Sequence, residues 1–427
     1  MGELLLSIKS ERRTLENGLT VILAPDSSAP IVAVNLWYRV GSRDEPEGRT
    51  GFAHLFEHMM FQGSAHVPKG GHFELLENAG SSMNASTWFD RTNYYETLPA
   101  HQLDLALWLE SDRMGWLLPA MDQGKLDNQR DVVRNEKQQS YDNQPYGDWL
   151  ERIQALLFPA DHPYRHTVIG SMEDLARADL SDIESFFRTY YRPNNAVLTL
   201  AGDLDPDDAF MRVRQYFGEI PPGDTAPPVQ GWTDILSLLG ETLRQRVEAD
   251  VPLPRVYLAC RLPTYLDPEF AVAEVATSVL GDGRASRLYR RLVRERGIAK
   301  DVQAFAVPLT IGASFLVVWA TGHPDTDPAG LEVALEEETQ AVCQTGQAEV
   351  ERALARSETQ FVREVEGMAS RADLLSMYQM TFNDAERINT EVDRLRNVTT
   401  EKVRSFAEER MGPDNRVILT YVPRASG

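Results

Sequence analysis

One short segment carries two imidazoles and a carboxylate at the spacing of a single helical turn, His54-Leu55-Phe56-Glu57-His58. On an α-helix, residues three and four apart lie on the same face, so these three polar side chains would project into one space. Zinc binds neutral imidazole nitrogens at about 2.0–2.1 Å and makes water more acidic, so that a nearby carboxylate can take its proton. The segment therefore predicts a zinc site with His54 and His58 as ligands and Glu57 as the general base.

The residues around this segment help to decide between a metal site and an ordinary surface turn with two unrelated histidines. The chain has only 8 histidines in 427 residues, and the flanks Gly51-Phe52-Ala53 and Met59-Met60-Phe61 are apolar. The helix is therefore expected to be buried, where an ionised carboxylate and two imidazoles are costly unless they bind something. This cost favours the metal site.

The hydrophobic pattern predicts a mixture of strands and helices that would position these side chains. Strands are expected at residues 19–23, 31–40, 255–261 and 313–320, with a strand or hairpin at 82–95. Helices are expected at residues 51–62, 103–116, 122–141, 332–342 and 348–366. Both halves of the chain thus combine sheet and helix.

The sequence also indicates a division into two halves. Residues 219–232 contain four prolines and two glycines, which favour a linker over regular structure. Ser185-Phe186, Pro193, Asn195 and Val197 recur as Ser405-Phe406, Pro413, Asn415 and Val417, each time in a predicted helix-turn-strand unit. We predict domains at residues 1–220 and 235–427, joined by a linker at 221–234, with a duplication as one explanation of the faint repeat.

Composition excludes several classes of function. The 64 acidic and 43 basic side chains give a net charge of −21, which argues against a nucleic-acid partner. Two cysteines are too few for a thiolate zinc cluster or a disulfide framework, so a metal site must use His and carboxylates. Apolar runs such as residues 315–320 fall far short of the roughly 20 residues that cross a bilayer. The first ten residues carry an acid where a leader carries positive charge, so we expect a cytoplasmic protein, or a periplasmic one if a leader was removed.

The segment from Gly51 to Ser64 resembles the pitrilysin (insulinase) family of zinc peptidases, which includes insulin-degrading enzymes and mitochondrial processing peptidases. It carries the inverted zinc signature His-x-x-Glu-His. A second block, Asn84-Ala85-Ser86-Thr87 through Pro99, resembles the family's substrate-binding edge strand. The resemblance implies an α+β chain of half size, with two homologous domains, each a mostly antiparallel sheet with helices packed on it. It also implies a zinc-dependent endopeptidase, and it gives Asn84 and Ala85 a role in binding an extended peptide, although an ordinary edge strand is the alternative.

The resemblance implies Glu136 as the third zinc ligand, from a later helix. Family members usually carry a second Glu seven residues earlier, and here that position is Gln129. An amide can hydrogen-bond but cannot hold charge as a carboxylate does. Metal binding is therefore expected to survive, while the proton relay, or the orientation of a ligand by Gln129, is expected to be weaker.

A second departure lies in the other half of the chain. Active relatives place an Arg and a Tyr where this sequence has Val293 and Lys300. Valine cannot donate a hydrogen bond to a developing oxyanion, and one lost donor typically costs about 10²–10³ in rate. We therefore expect a heterodimer in which a metal-free homologous subunit supplies the Arg/Tyr pair. The alternatives are a non-catalytic or weakly catalytic structural subunit, and a protein that captures peptides without cleaving them.

Overall fold

The structure, a computed structural model, describes residues 7–224 and 236–424. Most of the predicted linker at residues 221–234 lies outside these ranges. The strands are β1 (Glu11–Thr14), β2 (Thr20–Pro25), β3 (Ile31–Tyr38), β4 (Ser82–Thr87), β5 (Thr92–Pro99), β6 (Ala196–Gly202), β7 (Glu241–Ala249), β8 (Arg255–Leu262), β9 (Ala299–Val307), β10 (Ser314–Gly322) and β11 (Asn415–Pro423).

The helices of the described residues outnumber the strands. They are α1 (Phe52–Met59), α2 (Gly71–Asn78), α3 (Leu103–Trp116), α4 (Gln123–Lys137), α5 (Trp149–Leu157), α6 (Met172–Arg177), α7 (Leu180–Tyr190), α8 (Pro206–Phe217), α9 (Phe270–Gly281), α10 (Pro328–Gln340), α11 (Gln347–Glu366), α12 (Met368–Phe382), α13 (Glu391–Arg396) and α14 (Thr400–Arg410). The predicted strands and helices all fall on observed elements of the same type. The segment at 82–95 is a hairpin, formed by β4 and β5, whose second strand extends to Pro99.

The described residues form two compact units that draw on both halves of the sequence. Unit 1 contains residues up to Lys137, residues 166–224 and residues 362–390, and unit 2 contains residues 138–165, 236–361 and 391–424. The predicted domains, residues 1–220 and 235–427, follow the two halves of the sequence repeat, whereas the compact units exchange segments between these halves. The predicted domain boundaries stay a prediction.

Each unit contains one sheet, and five strands of the two sheets follow the same order. Unit 1 has the order β1-β2-β6-β3-β5-β4 and unit 2 has β7-β11-β8-β10-β9. The shared five strands are β2-β6-β3-β5-β4 in unit 1 and β7-β11-β8-β10-β9 in unit 2. In each set, the strand that comes first along the chain pairs in parallel with the strand that comes last, β2 with β6 and β7 with β11, and the other neighbouring strands are antiparallel. The predicted α+β class, with two mostly antiparallel sheets and packed helices, is confirmed.

The repeated asparagines make equivalent hydrogen bonds in the two units. The Asn195 side chain donates to the carbonyls of Tyr190 (2.9 Å) and Arg39 (3.1 Å). The Asn415 side chain donates to the carbonyls of Arg410 (2.6 Å) and Arg261 (2.9 Å). In each unit one carbonyl lies near the end of a helix and the other lies in or beside a neighbouring strand. The faint repeat in the sequence therefore reflects a repeated helix-turn-strand structure.

Alternating residues of the strands direct side chains to opposite faces of each sheet. In unit 1, Asn35 and Trp37 of β3 donate to Asp373 of α12, at 3.0 and 2.8 Å. Tyr38 points to the other face, where its ring lies 5.9 Å from that of Tyr94.

The sheet of unit 2 is covered in the same way. Val256, Leu258 and Cys260 of β8 belong to an apolar cluster that includes α9, and Tyr257 stacks on Trp149 of α5 at 5.1 Å. Thus α12 covers one face of the sheet in unit 1 and α5 covers one face in unit 2. Each of these two helices comes from the other half of the sequence.

Candidate metal centre

Helix α1 places its polar residues on one side because its apolar residues fill the core of unit 1. Phe52, Ala53, Leu55, Phe56 and Met59 are buried, and the other three residues of the helix are His54, Glu57 and His58.

The start of α1 is fixed by a glycine and a carboxylate. Gly51 adopts a left-handed conformation, with φ of 88°, which favours glycine. The buried Glu45 carboxylate accepts hydrogen bonds from the backbone N–H groups of Gly51 and Ala53, both at 2.8 Å. These contacts satisfy amide groups that have no partner within the helix, and they hold α1 at its first turn.

Helix α4 brings a carboxylate to the two imidazoles of α1. The distance from His54 Nε2 to Glu136 Oε1 is 3.7 Å, and that from His58 Nε2 to Glu136 Oε2 is 3.4 Å. The two imidazole ring centroids are 4.8 Å apart, with an interplanar angle of 74°. One ligand atom from each of the three residues lies within 4.8 Å of the others. Among the described residues, these are the His, Cys, Asp or Glu side chains that come together closely enough, three or more at a time, to hold a metal ion.

These separations fit a tetrahedral zinc site. Ligands at about 2.0–2.1 Å from zinc would lie about 3.3–3.5 Å from one another at tetrahedral angles. The His54–Oε1 distance of 3.7 Å and the His58–Oε2 distance of 3.4 Å are close to this range, and each histidine faces a different oxygen of Glu136. Two imidazoles and one carboxylate also match the donor set of a catalytic zinc site, which leaves a coordination position open.

The surroundings of His54 and of Glu136 affect the protonation of these two groups. Burial, with the neighbouring His58, lowers the pKa of His54 to about 4, against the opposing effect of Glu136. The hydrogen bond with His58 lowers the pKa of Glu136, and both histidines favour its charged form. A neutral imidazole and an ionised carboxylate are the protonation states that bind a metal cation.

Glu57 lies on the same helix but makes a different contact. Its Oε2 accepts a hydrogen bond of 2.5 Å from the hydroxyl of Thr87, the last residue of β4. Burial raises the pKa of Glu57, although the Thr87 hydroxyl and His58 act in the opposite direction. Sequence reasoning assigned no role to Thr87. The sequence offered one indication of its position: Thr87 lies two residues after Ala85 on a predicted edge strand, and alternate residues of a strand share a face.

Asn84 and Ala85 lie on β4, which is an outer strand of the sheet in unit 1. The strand pairs on one side with β5, where Asn84 is opposite Tyr95 and Ala85 is opposite Tyr94. The Asn84 side-chain oxygen accepts a hydrogen bond of 2.9 Å from the backbone N–H of Ala85. An outer strand of this kind can accept an extended peptide as an additional strand.

Gln129 is buried on α4, two helical turns before Glu136. Within the described part of the chain, its side-chain amide donates to Asn128, its sequence neighbour, at 3.0 Å. The structure therefore places Gln129 on the expected helix, and its hydrogen bond is not made to a candidate metal ligand.

Val293 and Lys300 belong to unit 2. Val293 is partly buried and packs against the apolar cluster of that unit, and Lys300 is exposed on β9. Neither position offers an Arg guanidinium or a Tyr hydroxyl.

Two protein-family models match separate stretches of the chain. Residues 20–156 match the model described as insulinase, peptidase family M16, and residues 177–357 match the model described as the peptidase M16 inactive domain. Together the two stretches span most of the sequence. The chain belongs to the M16 family. The expected pitrilysin or insulinase resemblance is thereby confirmed.

Individual M16 relatives agree with this assignment. The chain is 28% identical over 382 residues to a protein named zinc protease PqqE from Helicobacter pylori, covering 88% of this chain and 85% of the relative. It is 23% identical over 418 residues to the mitochondrial-processing peptidase subunit beta of Blastocladiella emersonii, covering 96% and 87%. The crystal structure of a protease from Helicobacter pylori superimposes with a TM-score of 0.90 at 26% identity, covering 98% of this chain and 100% of that one.

Within the described residues, every helix is too short or too polar to span a lipid bilayer.

Proposed function

We propose that this protein is a zinc-dependent endopeptidase that hydrolyses peptides or unfolded polypeptides. The observation that carries the proposal is the convergence of His54, His58 and Glu136, whose ligand atoms lie within 4.8 Å of one another. Glu57 projects from the same helix as the two histidines. The name zinc protease, given to an M16 relative that aligns with 88% of this chain, supports the same function.

The chain's own residues account for the proton transfers of peptide hydrolysis. A zinc ion on His54, His58 and Glu136 would supply positive charge that polarises the scissile carbonyl and makes water more acidic. Glu57 would take one proton from the attacking water as its oxygen bonds to the carbonyl carbon. Glu57 would then deliver that proton to the amide nitrogen as the C–N bond breaks, so the carboxylate is regenerated. A pKa raised by burial suits a group that must both accept and release a proton.

We propose that the substrate binds as an extended strand along the free edge of β4. Asn84 and Ala85 would present backbone and amide groups to it, and Thr87 on the same strand contacts Glu57. Binding through main-chain hydrogen bonds places few demands on side-chain identity, which suits a peptidase for unfolded chains.

We further propose that the protein acts as the zinc-bearing subunit of a heterodimer with a metal-free homologous subunit. By the register of the family resemblance, Val293 and Lys300 stand where active relatives carry an Arg and a Tyr, and a relative is named as a beta subunit. The partner subunit would supply these two donors to the developing oxyanion. Purification of the fully active protein as a monomer or self-dimer would count against this arrangement.

Metal analysis and one substitution test the peptidase proposal. The protein, purified together with any subunit that it binds, should contain about one zinc per chain, the stoichiometry of a three-ligand catalytic site. Glu57→Gln should retain that zinc and lose activity on an unstructured peptide by about 10²–10⁴-fold, the contribution of general acid–base catalysis. Glu274→Gln, in helix α9, is the matched control and should leave activity unchanged. Undiminished hydrolysis by Glu57→Gln would overturn the mechanism.

A non-catalytic or weakly catalytic structural subunit is the second candidate. It is favoured by Gln129, Val293 and Lys300, and by the match of residues 177–357 to a model described as an inactive domain. The complete set of His54, Glu57, His58 and Glu136 opposes it, because a scaffold has no use for a metal and a base. Absence of stoichiometric zinc from the purified protein would favour the scaffold.

A further inference from the structure

The contact between Glu57 and Thr87 joins the proposed base to the proposed substrate strand. Thr87 donates to Glu57 Oε2 at 2.5 Å, and within the described part of the chain this is the hydrogen bond that the Glu57 side chain makes. Glu57 is attached to α1 through a flexible side chain, whereas Thr87 is β-branched and ends a paired strand. The less mobile of the two residues therefore restrains the more mobile one.

Thr87 is itself held by neighbours on the hairpin. It lies opposite Thr92, whose hydroxyl is 3.5 Å from the Thr87 hydroxyl and donates instead to the carbonyl of Val40 at 2.9 Å. The single proton of the Thr87 hydroxyl is thus available for Glu57. A hydroxyl fixed in this way can hold one carboxylate oxygen while the other stays free to accept a proton.

The residue before Thr87 is also fixed. The Ser86 hydroxyl donates to Asn93 Oδ1 at 2.7 Å, and Arg91 donates to the Ser86 carbonyl at 2.8 Å. Asn93 in turn donates to Asp373 of α12 at 2.9 Å. The end of β4 is therefore tied to the helix that covers the sheet, and Thr87 has little freedom to move.

We propose that Thr87 is a positioning residue that orients Glu57 for proton transfer. This inference rests on the proposed peptidase function and deepens it. Asn84, Ala85 and Thr87 belong to one six-residue strand. A peptide added along β4 and the base that serves its hydrolysis are thus held by the same element. Gln129 does not orient Glu57 in this way, since its side-chain amide donates to Asn128.

The test is steady-state kinetics of Thr87→Val, an isosteric change that keeps the β-branched shape and removes the hydroxyl. We expect kcat to fall about 10-fold or more, in keeping with a lost hydrogen bond to a charged group. KM, zinc content and melting temperature should stay at the wild-type values. Thr87→Ser should restore most of kcat because it restores the donor. A crystal structure of Thr87→Val should show the Glu57 side chain in more than one rotamer.

Thr97→Val, on β5 in the same hairpin, is the matched control and should behave as the wild type. If Thr87→Val loses zinc or unfolds, Thr87→Ala and Thr87→Ser replace it, since they differ only in the hydroxyl. The alanine variant should then show the lower kcat.

The possible failures can be distinguished. Equal kcat for wild type and Thr87→Val, or for the Ser and Ala variants, with Glu57→Gln inactive, overturns the role of Thr87 alone. A rise in KM with unchanged kcat also overturns it, because Thr87 would then act on substrate binding. Full activity of Glu57→Gln overturns the proposed function itself.

Discussion

The helix that follows β3 in unit 1 and the helix that follows β8 in unit 2 come after equivalent strands, the second of the shared five along the chain, but they differ sharply. In unit 1 this helix is α1, whose three residues that are not buried are His54, Glu57 and His58. In unit 2 it is α9, in which 10 of 12 residues are buried and the remaining two are Glu274 and Ser278. The fold can therefore be built at this position with a helix of ordinary core composition.

The surroundings of the polar residues differ in the same way. Glu274 of α9 forms an ion pair with Arg394 at 2.7 Å, which is a structural contact. In α1, the Nδ1 atom of His54 is buried and has no hydrogen-bond partner among the described residues. Unpartnered buried polar atoms reduce stability. His54 of α1 thus costs stability through this atom, whereas the Glu274 carboxylate of α9 is paired.

The outer strands β4 and β9 repeat this contrast. The last residue of β4 donates to Glu57, whereas Asp301 of β9 accepts a hydrogen bond of 2.9 Å from Thr321 of the adjacent strand. Val293, just before β9, packs into the apolar cluster of unit 2. The outer strand β4 therefore contacts a candidate catalytic residue, whereas the outer strand β9 makes contacts within its own sheet.

Removal of a proposed metal ligand should have the largest effect on the difference between α1 and α9. Glu136→Ala should weaken zinc binding by more than about 100-fold, because even residues that only orient a ligand contribute up to that factor. Isothermal titration with zinc measures the change. Asp131→Ala, on the exposed side of α4, is the control and should bind zinc as the wild type does. Unaltered zinc affinity in Glu136→Ala would remove this residue from the site.

A core substitution in α9 should affect stability and leave metal binding intact. Leu280 is fully buried, and Leu280→Ala should lower the free energy of unfolding by about 2–5 kcal/mol through lost burial and a residual cavity. Urea denaturation measures this loss. The folded variant should still bind one zinc per chain. Loss of zinc from the folded variant would contradict the separation of roles between α9 and α1.

Replacement of one α1 imidazole should give the smallest effect on stability, and one of opposite sign to that of Leu280→Ala. In the metal-free protein, His54→Leu should raise the free energy of unfolding by about 1 kcal/mol, since it removes a buried polar atom without a partner. The same variant should no longer bind zinc. His101→Leu, at an exposed position, should change neither quantity. A marked loss of stability in His54→Leu would show that the imidazole has a structural role.

Local sequence was sufficient for much of the candidate site. The spacing of His54, Glu57 and His58 placed them on one helical face, and the apolar residues between them marked the buried side. The helix predicted at 103–116 has the observed bounds, Leu103–Trp116. The helix predicted at 122–141 instead ends at Lys137 and continues as a π-helical turn at Gln138–Asp142. Periodicity alone does not distinguish these two forms.

Long-range partners could not be obtained in this way. Nothing in the residues around Asp373 indicates that it accepts hydrogen bonds from Asn35, Trp37 and Asn93. The same holds for Thr87, whose hydrogen bond to Glu57 depends on how a hairpin packs against α1. Glu136 was found through the family resemblance, and its distance to the imidazoles required coordinates.

The sequence by itself determined the elements, the His-x-x-Glu-His pattern on α1 and the family, because these depend on residues close together along the chain. The tertiary structure decided which carboxylate meets the imidazoles, which hydroxyl holds Glu57 and which helix covers each sheet. These outcomes depend on the mutual fit of surfaces that are far apart in sequence. Such fit is a property of the whole packed chain, and no local pattern encodes it.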